Sequence, residues 1–322
     1  MFNPELRELI AARSEVRFGY TRPDWHGIRA DVETAGGDFQ KLATAAARMW
    51  GDVVANEYGK GAKVHVEATR TYALLPASEA TEKAQRWVEH CIGELRVFLS
   101  GIVREQDEPL VVLIFDDSDA FVTYVTDIYT AVGDEHGEAE ELAHYGSNYC
   151  SDGFPQIVAP VHDGGGESGL AHDVTCSMLE HLTLPAWLYS GIAQSMVGLL
   201  TKRDMRPSAR EMTAAHRFWK PESMQRFWSG ASFSDSYAGS PSHTMAFLFV
   251  QALSGSYERL VRLVTSPGLS RADAGDAAFH AEYGHGLENL ASRLLGAGPW
   301  APNVAAIAEI HADVEAGSGQ VE

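Results

Sequence analysis

The sequence predicts an α+β fold, with a small mixed sheet in its first half followed by a mostly helical C-terminal lobe. Three observations carry this expectation. Runs of strand length and strand composition occur only between residues 63 and 162. Beyond Leu200, apolar residues recur at three- and four-residue spacing in segment after segment, with Gly, Ser and Pro at the joins. Between these regions lie two consecutive helical patterns, at about 168–182 and 184–200, around which the chain is organised.

Taken in order, residues 1–60 read as helical. Asn3-Pro4 can cap and start a helix that buries Leu6, Leu9 and Ile10. Residues 22–27, Arg-Pro-Asp-Trp-His-Gly, read as a polar connector, with His26 a surface histidine beside Trp25. Gly36-Gly37-Asp38 stops one segment and caps the next, whose stripe of Phe39, Leu42, Ala46, Met49, Trp50 and Val53 runs to about Tyr58. From Ala62 the texture changes. Residues 63–67 and 71–75 read as strands, the second ended by Pro76. A helix over 78–99 follows, with Ala84, Trp87, Val88, Cys91, Ile92, Leu95 and Phe98 on its buried side. The apolar run at 109–115 reads as a central strand buried on both faces. Asp116-Asp117 then caps a helix through Phe121, Val122, Val125 and Ile128.

Residues 133–141 are acidic without the spacing of a calcium loop, and read as a solvated loop or helix end. Residues 154–162 form a short strand bounded by prolines, which suits the edge of a sheet rather than its centre. The stretch Asp163-Gly-Gly-Gly-Glu167 lacks the Lys-Ser/Thr of a phosphate loop. Later helices are expected at 208–219, 221–228, 241–254, 256–264, 271–283, 287–295 and 304–314. The organisation that results is a helical segment at 1–60, a sheet lobe at 61–166, the helix pair with its helical lobe at 167–315, and a tail at 316–322.

A formal net charge of −19 over 322 residues argues against nucleic acid and anionic membrane, both of which need a cationic face. It permits a basic peptide or protein partner. No apolar run reaches membrane-spanning length, and the first residues mix charge into their apolar positions, unlike a signal peptide. Cys91, Cys150 and Cys176 are an odd and sparse set, which fits a reducing compartment; the expected location is the cytoplasm.

The helix pair carries the chemistry. Leu170, Val174, Met178 and Leu182 form the buried stripe of the first helix, and His172 and Cys176 share a face one turn apart, with Asp173 beside them. Pro185 fits the first turn of the second helix. The arrangement resembles the zincin metallopeptidases, in which His-Glu-x-x-His on a helix holds a metal and supplies a general base. More narrowly it resembles the gluzincin, peptidase MA-like group, whose second helix has the form Leu-Pro-x-Trp-Leu-x-Glu-Gly-Leu-Ala. That frame stands here as Leu184-Pro185-Ala186-Trp187-Leu188-Tyr189-Ser190-Gly191-Ile192-Ala193. The resemblance covers roughly residues 60–300 and is densest at 168–194.

The resemblance implies a zincin-like fold with an active-site helix, zinc as cofactor, His172 and Cys176 at metal-ligand positions, and Asp173 at the position of the general base. Three of these positions differ from the family: Asp173 replaces Glu, Cys176 replaces the second His, and Ser190 stands where the third ligand Glu belongs. Catalytic zinc takes about three protein ligands and an open position, so these replacements fit lost catalysis and no bound cofactor. The expected role is then that of a pseudoenzyme binding a peptide or protein. The alternative is a zinc peptidase or hydrolase with a rearranged site. In it His172 and Cys176 are joined by a third donor from among Glu180, His181, His216 and His243, and Asp173 is the base. A third arrangement makes Cys176 a nucleophile with His172 as its base, but mid-helix N–H groups offer no oxyanion site.

Overall fold

The structure is a computed structural model that describes residues 4–17, 19–103, 109–130, 148–150, 155–161, 166–235 and 239–318. These residues form a mixed α+β architecture. The acidic stretch at 133–141 and residues 162–165 of the glycine-rich stretch lie outside them. The chain divides into two compact units, one of Met1–Val97 with Arg104–Met178, the other of Phe98–Val103 with Leu179–Glu322.

In the first unit, helix α1 (Pro4–Ala12) buries Leu6 and Ile10 as its spacing predicts. The expected connector at 22–27 is instead a hairpin and a helix. Strands β1 (Ser14–Arg17) and β2 (Tyr20–Pro23) pair antiparallel, and α2 (Trp25–Thr34) follows directly. The Asp24 carboxylate caps α2 by accepting from the Gly27 N–H at 2.9 Å. Trp25, Ile28 and Val32, at helical spacing, form its buried face. The hairpin is tied from outside: the backbone N–H of Thr21 donates to Glu57 at 2.8 Å, and the Thr21 hydroxyl donates to the same carboxylate. Glu57 belongs to α3 (Phe39–Tyr58), the long helix of this region.

The main sheet has the order β3-β4-β5-β7-β6. Strand β4 (Arg70–Leu75) pairs antiparallel with β3 (Lys63–Glu67) and parallel with β5 (Leu110–Phe115). Strand β7 (Gln156–Pro160) continues the parallel set, and β6 (Asn148–Cys150) closes it antiparallel. Strand β5 is central and wholly buried, as its unbroken apolar run predicts. Ala73, Leu75, Val111, Leu113, Phe115 and Val158 join the core shared with α1, α2, α3 and α5 (Ser118–Thr130). Helix α4 (Glu79–Phe98) is tied to the sheet by a partly buried network. Arg70 donates twice to Glu89, at 2.9 and 2.8 Å, and the Tyr72 hydroxyl donates to the same carboxylate.

The expectation that 154–162 makes an edge strand is corrected here. Strand β7 lies between β5 and β6, and all five of its residues are buried. Pro160 is the last residue of the strand, where it pairs with Phe115 of β5, and a proline is tolerated at a strand end.

The second unit is helical. It comprises α7 (Ala186–Thr201), α8 (Ala209–Phe218), α9 (Pro221–Ser229), α10 (Gly239–Leu253), α11 (Tyr257–Val264), α12 (Asp276–Tyr283), α13 (Leu287–Leu295) and α14 (Val304–Ser318). Helix α12 starts later than the expected 271 because Asp273 builds a capping turn, accepting from the N–H groups of Gly275 and Ala277 at 3.0 Å each. Trp187, Trp228, Phe227 and Phe249 interlock at the centre, with ring centroids 5.0–6.3 Å apart. No helix among the described residues is long and apolar enough to cross a membrane.

Candidate functional site

The helix with the His-Asp-x-x-Cys pattern is α6 (Gly166–Leu179), which ends the first unit. Helix α4 holds its opening turn: the Trp87 indole donates to the Glu167 carbonyl at 2.9 Å, and Lys83 pairs with the Glu167 carboxylate at 3.3 Å. From Leu170 to Leu179 every residue is buried except His172. A helix apolar around its whole circumference belongs inside a protein, and His172, with 30% of its side chain exposed, is the one residue of this stretch that reaches solvent appreciably.

His172, Asp173 and Cys176 do come together. The imidazole Nδ1 lies 3.1 Å from Asp173 Oδ1. The Cys176 sulfur lies 3.7 Å from Nδ1 and 3.9 Å from Nε2. Asp173 is only 5% exposed, and its second oxygen, Oδ2, is buried with no hydrogen-bond partner among the described residues. Burial works against a charge on His172, but the Cys176 sulfur and the Asp173 carboxylate outweigh it and hold the imidazole protonated well above its usual range. Cys91, the other cysteine of this unit with a described side chain, differs. Its thiol is buried and is pushed up to about 12, by burial first and then by the charge of Glu167.

The pair distances alone suit a metal. Two tetrahedral zinc ligands, one sulfur and one nitrogen, stand about 3.5 Å apart, and a carboxylate on the far ring nitrogen is how metal-bound histidines are oriented. The donor count does not suit one. Among the described residues no three His, Cys, Asp or Glu side chains are grouped so that they could hold a metal ion.

The remaining candidates are placed as follows. Ser190 lies on α7 in the second unit, 5% exposed, and its hydroxyl oxygen is 2.7 Å from Nδ1 of His243 on α10. Phe233 packs edge-on against that imidazole, with ring centroids 5.3 Å apart. Ser190 and one of the alternative donors, His243, are therefore bonded to each other. Sequence spacing carries no sign of this pair, since 53 residues separate its members. The contact depends on Gly191. A β-carbon there would stand 2.3 Å from the Ala246 carbonyl oxygen, so only glycine lets α7 and α10 approach this closely. Helix α6 stops at Leu179, short of the expected 182, so Glu180 and His181 lie beyond it, both exposed. His216 is exposed on the last turn of α8.

Comparison with protein-family models, with curated proteins and with solved structures gives no match.

Neither Cys91 nor Cys176 is in a disulfide. The Cys176 sulfur sits beside an imidazole, yet each N–H of the surrounding helix is already engaged along the helix, so no donor pair is available for an oxyanion.

Proposed function

We propose that this chain is a zincin-like protein of the gluzincin type that has lost peptidase chemistry and serves as a peptide- or protein-binding module. The observation that carries the proposal is that the side chains at the family's functional positions are committed to local partners. His172 is bonded to Asp173 and lies against Cys176, while Ser190 is bonded to His243. Catalytic zinc requires about three protein ligands and an open position. His172 and Cys176 offer two, and the Ser190 hydroxyl is a poor zinc donor already engaged elsewhere. These residues do not fit a catalytic zinc.

The family's general base must face the metal-bound water. Asp173 has a side chain one methylene shorter than Glu, is nearly fully buried, and spends one oxygen on its neighbour His172. The frame around these residues supports a zincin-like reading: an antiparallel strand β6 outermost among the described strands, then β7, then the helix α6. Zincins lay an extended peptide on the outer strand that precedes the metal helix, by strand addition. With a net charge of −19, a basic peptide is the occupant that electrostatics favours.

The test is elemental analysis of protein purified without a histidine tag or chelator, before and after incubation with zinc, alongside a peptide-hydrolysis screen and a basic-peptide array. The expected result is far less than one zinc per chain, no hydrolysis, and peptide retention that weakens as salt is raised. One zinc per chain with chelator-sensitive hydrolysis that disappears in His172→Ala would overturn the proposal. That outcome would establish the rearranged zinc hydrolase, with His172 and Cys176 as ligands beside a third donor and Asp173 as base.

A further inference from the structure

We propose that the outer edge of β3 is a self-association surface that takes β3 of a second copy of this chain, antiparallel and centred on His65. The inference is independent of the proposed function and concerns the opposite side of the sheet.

Strand β3 is the first in the sheet order, with no strand beyond it among the described residues. Lys63, His65, Val66 and Glu67 are exposed, and Val66, at 37%, is one of the few large apolar side chains left to solvent. The pairing parity follows from the turn. Glu67 pairs with Arg70 across the two-residue turn Ala68-Thr69, so it begins the hydrogen-bonded pairs, and Lys63, His65 and Glu67 direct their backbone groups to β4. Val64 and Val66 direct theirs outward, where a further strand would bond.

The sequence Lys63-Val64-His65-Val66-Glu67 is complementary to itself about its centre. In a two-fold antiparallel pairing on His65, Val64 of each copy faces Val66 of the other in the hydrogen-bonded positions. Lys63 of each copy then faces Glu67 of the other in the closely spaced positions, where opposite charges attract most effectively. Charges on an edge strand usually prevent pairing. A single sign would do so here, but opposite signs at equal distances from the centre select one register and one partner. The apolar side is shaped for the contact as well. Val64 lines a groove of about 370 Å³ with Asp52, Ala55, Asn56, Gly59 and Ala62, and Val66 of the second copy would stand beside Val64 at that groove.

Sedimentation of the full chain at about 0.15 M salt, where long-range repulsion between the acidic copies is screened, tests this. The expected mass is twice 35.0 kDa. Lys63→Glu and Glu67→Lys each place like charges opposite one another twice, and each should weaken the dimer about tenfold or more. The double variant Lys63→Glu/Glu67→Lys, and an equimolar mixture of the two single variants, should both recover it. Recovery in the mixture also shows that each single variant is folded. A chain that stays monomeric at about 100 µM, or single variants that dimerise as tightly as the parent, would overturn the proposal.

Discussion

Gly191→Ala is the substitution whose cost can be worked most directly from this structure. The added β-carbon would lie 2.3 Å from the Ala246 carbonyl oxygen, 2.5 Å from Val250 Cγ2 and 2.8 Å from the Ala246 carbonyl carbon. Carbon contacts relax only at about 3.5 Å, so α7 and α10 must part by about 1 Å. The obstacle is helical backbone, which cannot turn aside as a flexible side chain would. Overpacking of this kind costs about 3 kcal/mol. Separation of the helices also breaks the 2.7 Å contact between Ser190 and His243, a loss of about 1 kcal/mol. Alanine returns about 1 kcal/mol through its better helix propensity. The net destabilisation is about 3 kcal/mol, or about 6–12 °C in the unfolding of a domain of this size. Thermal unfolding followed by the fluorescence of the buried Trp187 and Trp228 is the assay, with Ser190→Ala as the control that loses the hydrogen bond alone. A Gly191→Ala shift no larger than that of Ser190→Ala would refute the close helix approach as the reason for glycine at this position.

Glu89→Gln should cost about 3 kcal/mol, because it leaves the buried Arg70 guanidinium without a counter-charge, whereas Arg70→Met/Tyr72→Phe/Glu89→Leu, which removes every polar member of the network, should come close to neutral. Urea midpoints check both, and a Glu89→Gln loss under about 1 kcal/mol would show that the charge pair is not what Arg70 depends on. For His172 the folded pKa is raised, so its stabilising contribution is fully present below the unfolded value of about 6.5 and is lost as pH rises through the folded value. The urea midpoint of the parent should therefore fall with rising pH by more than that of His172→Gln; identical pH profiles would remove the His172–Asp173–Cys176 cluster as an electrostatic unit.

Much of the fold is legible because it is written locally. The stripes of α3 and α4, the apolar run of β5 and the caps at Asp117 all act within a turn or two of chain, and each element stands where its spacing predicts. Helix α2 was readable too, from Asp24 followed by Trp25, Ile28 and Val32, but the polar residues around it favour a connector on composition alone. The cluster on α6 was partly legible, since i,i+4 spacing places Cys176 beside His172 in any helix.

The sequence by itself thus determined the elements from α3 to α5 and most of the C-terminal helices, the acidic character, and the spacing of His172, Asp173 and Cys176. Tertiary structure decided which of those residues meet. Strand β7 became interior because β6 pairs along its outer side. Ser190 found His243 because Gly191 lets two helices touch. Asp173 kept one oxygen unbonded because packing on every side buried it. Backbone propensity and side-chain spacing act over a few residues, whereas burial and pairing depend on what arrives from distant parts of the chain, and no local pattern encodes the partner.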